Sequence, residues 1–95
     1  MCGLAGILNY KSKSSISECN NIAKLMADQI KHRGPDDFGL WQSSNGQVTF
    51  SHQRLSIQDL TNAGHQPMVS KSKKLILEFN GEIYNHLELR ELFDP

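Results

Sequence analysis

The chain has 95 residues, ten basic against ten acidic, with 38% hydrophobic residues, one Trp, two Tyr and four Phe. One small domain fits that length, and a chain this short buries only a little more than about 60% of its unfolded surface on folding. Balanced charge argues against nucleic acid or an anionic membrane as partner, the apolar content is too high for disorder but low for a self-sufficient core, and a small neutral or zwitterionic substrate fits better.

In chain order, residues 3–8 form an apolar run with two glycines, which predicts a buried strand and puts Cys2 at its end. The Ser/Lys stretch at 11–17 reads as a surface turn, as does a second one at 70–74. Ser15 and Glu18 have capping-box spacing, and Cys19, Ile22, Ala23, Met26 and Ile30 recur at helical intervals up to Gly34-Pro35, so a helix is predicted over 17–32. Residues 40–42 and 48–53 flank Ser44-Asn45-Gly46 and predict an antiparallel hairpin, since Asn-Gly readily adopts positive φ. A third strand is predicted at 75–79, broken by Asn80-Gly81, with an extended path resuming at 82–84. Asn85 and Glu88 predict a capped last helix running to about Phe93 and stopped at Asp94-Pro95, with Tyr84 and Leu89 spaced as a hydrophobic staple. The class is α+β with a mainly antiparallel sheet, whose last edge would need a cover.

Two cysteines, Cys2 and Cys19, are too few for a disulfide scaffold and suggest a reducing, cytoplasmic setting. No basic-then-apolar leader precedes the first strand, and no apolar run approaches the roughly 20 residues of a membrane span. Cys19 lies in a helical pattern and reads as a small core residue. Cys2 is different. Removal of Met1 would give it both a thiol and a free α-amino group, whose reference pKa of about 7.7–8 suits a general base. The thiolate could then attack a carboxamide carbon and pass through a thioester to hydrolysis. By position alone, a small residue after Met is equally ordinary.

The opening Cys2-Gly3-Leu4-Ala5-Gly6-Ile7 is followed by His32-Arg33-Gly34-Pro35-Asp36-Asp37, Ser51-His52-Gln53-Arg54-Leu55-Ser56-Ile57, Gly64-His65-Gln66-Pro67-Met68 and Asn80-Gly81-Glu82-Ile83-Tyr84-Asn85-His86. In that order and spacing the chain resembles the class II glutamine amidotransferases, which are N-terminal nucleophile hydrolases. Pro35-Asp36-Asp37 resembles the asparagine synthetase branch. The resemblance implies a four-layer αββα sandwich, of which residues 1–95 would supply about half as an incomplete domain. It implies Cys2 as nucleophile, Asn80 and Gly81 as the oxyanion hole, Arg54 as the clamp on the glutamine α-carboxylate and Glu82 as part of the glutamine site.

The residues themselves leave alternatives open. A planar guanidinium suits bidentate grip of a carboxylate, yet Arg54 could be a surface ion pair. Asn-Gly is also an ordinary turn, Glu82 could be solvated, and His32 and Arg33 could serve a helix dipole. Asp36 and Asp37 could order the pocket or merely form a turn; the structural role is favoured. His32, His52, His65 and His86 lack zinc-pair spacing and read as structural, so no metal is expected.

The implied partner is L-glutamine, with ammonia passed to an activated aspartate. The implied cover is a second copy or a missing C-terminal segment. No residue here matches the family's downstream acidic residue for the substrate amine. No Gly-rich phosphate loop occurs, so ATP and Mg would belong to an absent synthetase domain and no cofactor to this chain. Two rival readings remain: a non-catalytic binding module or remnant of the same family, and an amidotransferase with another acceptor.

Overall fold

The computed structural model describes residues 1–11, 14–57 and 60–94. Part of the turn expected at 11–17, and the Pro95 expected to stop the last helix, lie outside the described residues.

Strand β1 spans Gly3–Leu8, β2 Asp37–Gln42 and β3 Val48–Arg54. They form one antiparallel sheet in the order β1-β3-β2, with Gly3 opposite Gln53 and Asp37 opposite Arg54. The hairpin is where the sequence puts it, but β2 begins three residues before the expected Leu40. Asp37 and Gly39 are poor strand formers, and only their pairing with β3 makes them strand. At the turn, Gly46 donates to the Ser43 carbonyl at 2.9 Å, and φ is positive at Gly46 (72°) but not at Asn45. Asn45 instead accepts from Ser43 Oγ at 2.8 Å and from the Gln47 N–H at 3.1 Å, so its side chain builds the turn.

Helix α1 spans Ile16–Gln29. The Glu18 N–H donates to Ser15 Oγ at 3.1 Å, as the capping pattern predicts. Its seam is Cys19, Ala23 and Ala27, spaced four apart and at most 1% exposed. The sheet face carrying Gly3, Gln53 and Thr49 receives it: a Cβ on Gly3 would run into the Ile30 side chain, and Gln42 Nε2 on the same row reaches the Ile16 carbonyl at 2.8 Å. Small helix residues let the two layers approach closely.

The helix stops short of the expected His32. Ile30 has φ −112° and ψ 13°, its N–H turns back to Ala27, and Lys31–Arg33 continue as a 3₁₀ turn. The last turn of α1 therefore holds no basic residue, and the dipole account of His32 and Arg33 fails.

A second small antiparallel pair joins β4, Met68–Val69, to β5, Ile76–Leu77. The expected strand at 75–79 is cut to two residues because its partner is only two residues long. The Ser/Lys stretch at 70–74 is the turn between them, closed by Ser70 N–H to the Leu75 carbonyl at 2.9 Å. Helix α2, His86–Phe93, forms without the predicted cap or staple: Asn85 makes no capping hydrogen bond and Tyr84 is 93% exposed. The architecture is mixed α and β with antiparallel sheets, as the sequence implies.

Candidate active site

The β1–β3 register carries Cys2, one residue ahead of Gly3, to the end of β3 where Arg54 and Leu55 emerge. The Leu55 N–H points at Cys2 Sγ at 3.3 Å, and the thiol lies 3.7 Å from the Leu55 carbonyl. Arg33 Nε donates to the Cys2 carbonyl at 3.0 Å, so the 3₁₀ turn after α1 holds the Cys2 backbone. Both cysteines are free thiols.

Arg54 is 7% exposed, and its Nη1 donates to the Thr61 carbonyl at 2.7 Å. Its guanidinium passes so close to Gly64 that a Cβ there would overlap it. Asp36 pins this corner from outside: its N–H donates to the Arg54 carbonyl at 3.0 Å and its Oδ2 accepts from the Ser56 N–H at 2.9 Å. Asp37 Oδ2 meets His65 Nδ1 at 2.6 Å. The structural role expected of the two aspartates is what they play, each tying down chain beside the cavity.

Asn80, Gly81 and Glu82 arrive from the other side, just beyond β5. The Phe79 N–H donates to Gln66 Oε1 at 2.6 Å and the Phe79 carbonyl lies 3.4 Å from His52 Nε2. The Phe79 ring lies against Gly81, where a Cβ would sit 2.8 Å from the ring carbon Cζ. Asn80-Gly81 follows β5 and forms a bend, not the turn of a hairpin.

Cys2, Arg54, Asn80, Gly81 and Glu82 all line one cavity of about 230 Å³, with Leu55, Gln66 and Met1 among its other walls. That is below the roughly 300–1,000 Å³ of pockets for drug-sized ligands, and suits a small metabolite. A wider depression of about 540 Å³ lies between α1 and β2, lined by Lys24, Asp28, Asp36 and Phe38 among others. It holds no thiol, whereas the smaller cavity holds Cys2.

His52 is fully buried, and desolvation holds its pKa below the ordinary histidine value against the raising effect of the Phe79 carbonyl. The sequence reads His52 as structural and assigns no role to Gln66 or to the Leu55 N–H. The first two stand inside quoted motifs, but their joint grip on Phe79 depends on a contact across 27 residues that no local pattern encodes. Among the described residues no cluster of three or more His, Cys, Asp or Glu could hold a metal ion, and no helix is long and apolar enough to cross a membrane.

Comparison with known proteins agrees with this geometry. Residues 1–94 match the family model described as the glutamine amidotransferase domain. The chain is 47% identical to asparagine synthetase [glutamine-hydrolyzing] 2 of Bacillus subtilis over 95% of its own length and 12% of that protein. It is 40% identical to asparagine synthetase B [glutamine-hydrolyzing] of Escherichia coli over 95% of itself and 15% of that protein, and 37% identical to asparagine synthetase [glutamine-hydrolyzing] 1 of Arabidopsis thaliana over 96% and 15%. Across the curated relatives that match best, the chain spans 12% to 21% of their length. No solved structure matches it. With its motifs in family order, their residues gathered on one cavity and the family model matched over residues 1–94, the chain belongs to the glutamine amidotransferase domain family.

Proposed function

We propose that this chain carries the glutamine-hydrolysing half-site of an asparagine synthetase-like amidotransferase, with Cys2 as nucleophile. The observation that carries the reading is the convergence of Cys2, Arg54, Asn80, Gly81 and Glu82, from both ends of the sequence, on one small cavity. Removal of Met1 frees the Cys2 α-amine, which takes the thiol proton. The sulfur, held in place by its contact with the Leu55 N–H, then adds to the glutamine carboxamide carbon.

The Asn80 carboxamide and the Gly81 N–H receive the oxyanion, in a setting where loss of one such donor costs about 100- to 1,000-fold in other enzymes. Collapse of the tetrahedral intermediate expels ammonia, carrying the proton held by the α-amine. Water then hydrolyses the thioester to glutamate and regenerates Cys2. Arg54 clamps the substrate α-carboxylate, and Glu82 faces the α-ammonium. The chemistry needs a free thiol, which a cytoplasmic setting maintains. Ammonia would pass to aspartate activated by ATP in sequence beyond these residues, where the relatives are far longer. The same longer sequence would complete a four-layer αββα sandwich.

The experiment is intact mass of the chain before and after a glutamine-like diazoketone, with excess glutamine as competitor. Loss of Met1 and a single glutamine-protectable adduct, absent in Cys2→Ala, are expected. Equal, unprotected labelling of Cys2 and Cys19, or glutamine turnover by Cys2→Ala, would sink the reading. Met1 itself lines the cavity, which favours a non-catalytic binding module wherever it is retained. Reversible glutamine binding without adduct would identify that state.

A further inference from the structure

Asn80 and Gly81 stand on a stretch with no strand of its own. Strand β5 ends at Leu77, so the Phe79 peptide groups have no partner in the two-stranded ladder. Backbone groups left without partners cost free energy and let a segment wander. Here side chains take the place of the ladder: Gln66 Oε1 accepts from the Phe79 N–H at 2.6 Å, and the Phe79 carbonyl lies 3.4 Å from His52 Nε2.

We propose that His52 and Gln66 are positioning residues for the oxyanion pair, holding both polar groups of Phe79 so that the Asn80 carboxamide and Gly81 N–H stand at a fixed place relative to the Cys2 sulfur. This rests on the assignment of Asn80 and Gly81 made above.

Both anchors spring from one spot on the sheet. His52 sits in the central strand, fully buried, opposite Leu4 on β1 and Gly39 on β2. The Gln66 backbone lies directly on Gly39, the residue beside His52, so closely that a Cβ there would overlap the Gln66 carbonyl oxygen. The preceding residue, His65, is held to Asp37 of the same strand at 2.6 Å. A three-strand ladder thereby supports both ends of the grip on Phe79, and Phe79 in turn supports Gly81 through its ring.

The tautomer follows from the acceptor. A carbonyl can only accept, so Nε2 carries the proton, and Nδ1 keeps a buried lone pair with no partner among the described residues. A second proton on Nδ1 would create a buried, unpaired donor and a desolvated charge, facing Arg54 and His65 as well as Asp37. His52 therefore acts as a neutral donor.

The test is a mutant cycle on Cys2 alkylation by the glutamine-like diazoketone, with iodoacetamide as a probe that needs no oxyanion hole. His52→Leu and Gln66→Met should each slow the maximal diazoketone rate about 10- to 100-fold, the scale expected when donors shift by about an ångström, and in the His52 variant, whose side chain is not among the cavity walls, half-saturation should stay within about twofold. Iodoacetamide should react unchanged. Gln66→Glu keeps an acceptor oxygen and should recover most of the rate.

In an Asn80→Ala background the same two substitutions should cost clearly less than in the parent chain, because the share of their effect that acts through Asn80 is gone and only the Gly81 N–H is left to displace. A full, multiplicative loss there would make them general structural residues and overturn the proposal. If Asn80→Ala alone leaves the diazoketone rate unchanged, the oxyanion assignment itself has failed, a result distinct from a slow Asn80→Ala beside unaffected His52 and Gln66 variants. Hydrogen exchange at the Phe79 amide needs neither turnover nor labelling. Protection lost in Gln66→Met is expected, and a Phe79 amide unprotected in the parent chain overturns the grip outright.

Discussion

Arg54 and Gly64 show how one missing atom places a buried guanidinium. The guanidinium fills the space where a Gly64 side chain would stand, and moving it aside breaks its bond to the Thr61 carbonyl. Gly64→Ala should therefore lower the melting temperature as well as displace the proposed carboxylate clamp, raising the glutamine concentration needed to protect Cys2 by about tenfold, or roughly 1.4 kcal/mol. Competition labelling beside a melting curve checks both halves. Glu78 gives the pH dependence. Burial, with Oε1 lacking a partner, pushes its carboxyl up from 4.5 to about 7. Its folded value lies above its unfolded one, so its contribution is whole below pH 4.5, is lost as pH rises toward 7, and is a constant penalty beyond. Glu78→Gln should accordingly match the parent chain in denaturant unfolding below pH 4.5 and exceed it above pH 7, and equal stability at both ends would refute the burial argument.

Two helices carry the same start signal and only one uses it. Ser15 and Asn85 each stand three residues before a glutamate, yet Ser15 Oγ caps α1 and Asn85 caps nothing. The difference is packing. Helix α1 is held on the sheet by Cys19, Ala23 and Ala27, so its first turn is fixed and its N–H groups have a defined direction, whereas α2 buries no residue. A cap stabilises a turn that already has a place to stand. Ser15→Ala should lower unfolding free energy by about 1 kcal/mol, and Asn85→Ala should change it by no more than a few tenths. Denaturant titration of the two variants side by side is the check. The strand expected at 75–79 is shorter for a related reason: its partner β4 has only two residues, which carry no periodicity of their own.

At the scale of the whole molecule, one sheet face is covered by α1 and the other only in part. The buried apolar core is Cys19, Ala23 and Ala27, while Leu4, Leu8, Ile57, Leu87, Leu92 and Phe93 are exposed. Leu4 and Leu8 pair with His52 and Val48, on the face away from α1. The 95-residue chain should bind a hydrophobic dye and sediment as concentration-dependent oligomers, and a version extended with the relatives' following sequence should do neither; a monomer that ignores the dye would contradict the exposed face. What the sequence by itself determined was local or chemical: the hairpin, the start of α1, the antiparallel class, and which residue types bear a thiol, a guanidinium or an amide. Arg54, Asn80 and Cys2 could be singled out because the motifs that hold them resemble those of the family in order and spacing. Only the tertiary structure decided that Leu55 N–H faces the sulfur, that Arg33 holds the Cys2 carbonyl, and that His52 and Gln66 grip Phe79. Those contacts span 13 to 53 residues, and their partners include backbone atoms, so no residue type announces them; only the packing of strands and turns brings them together.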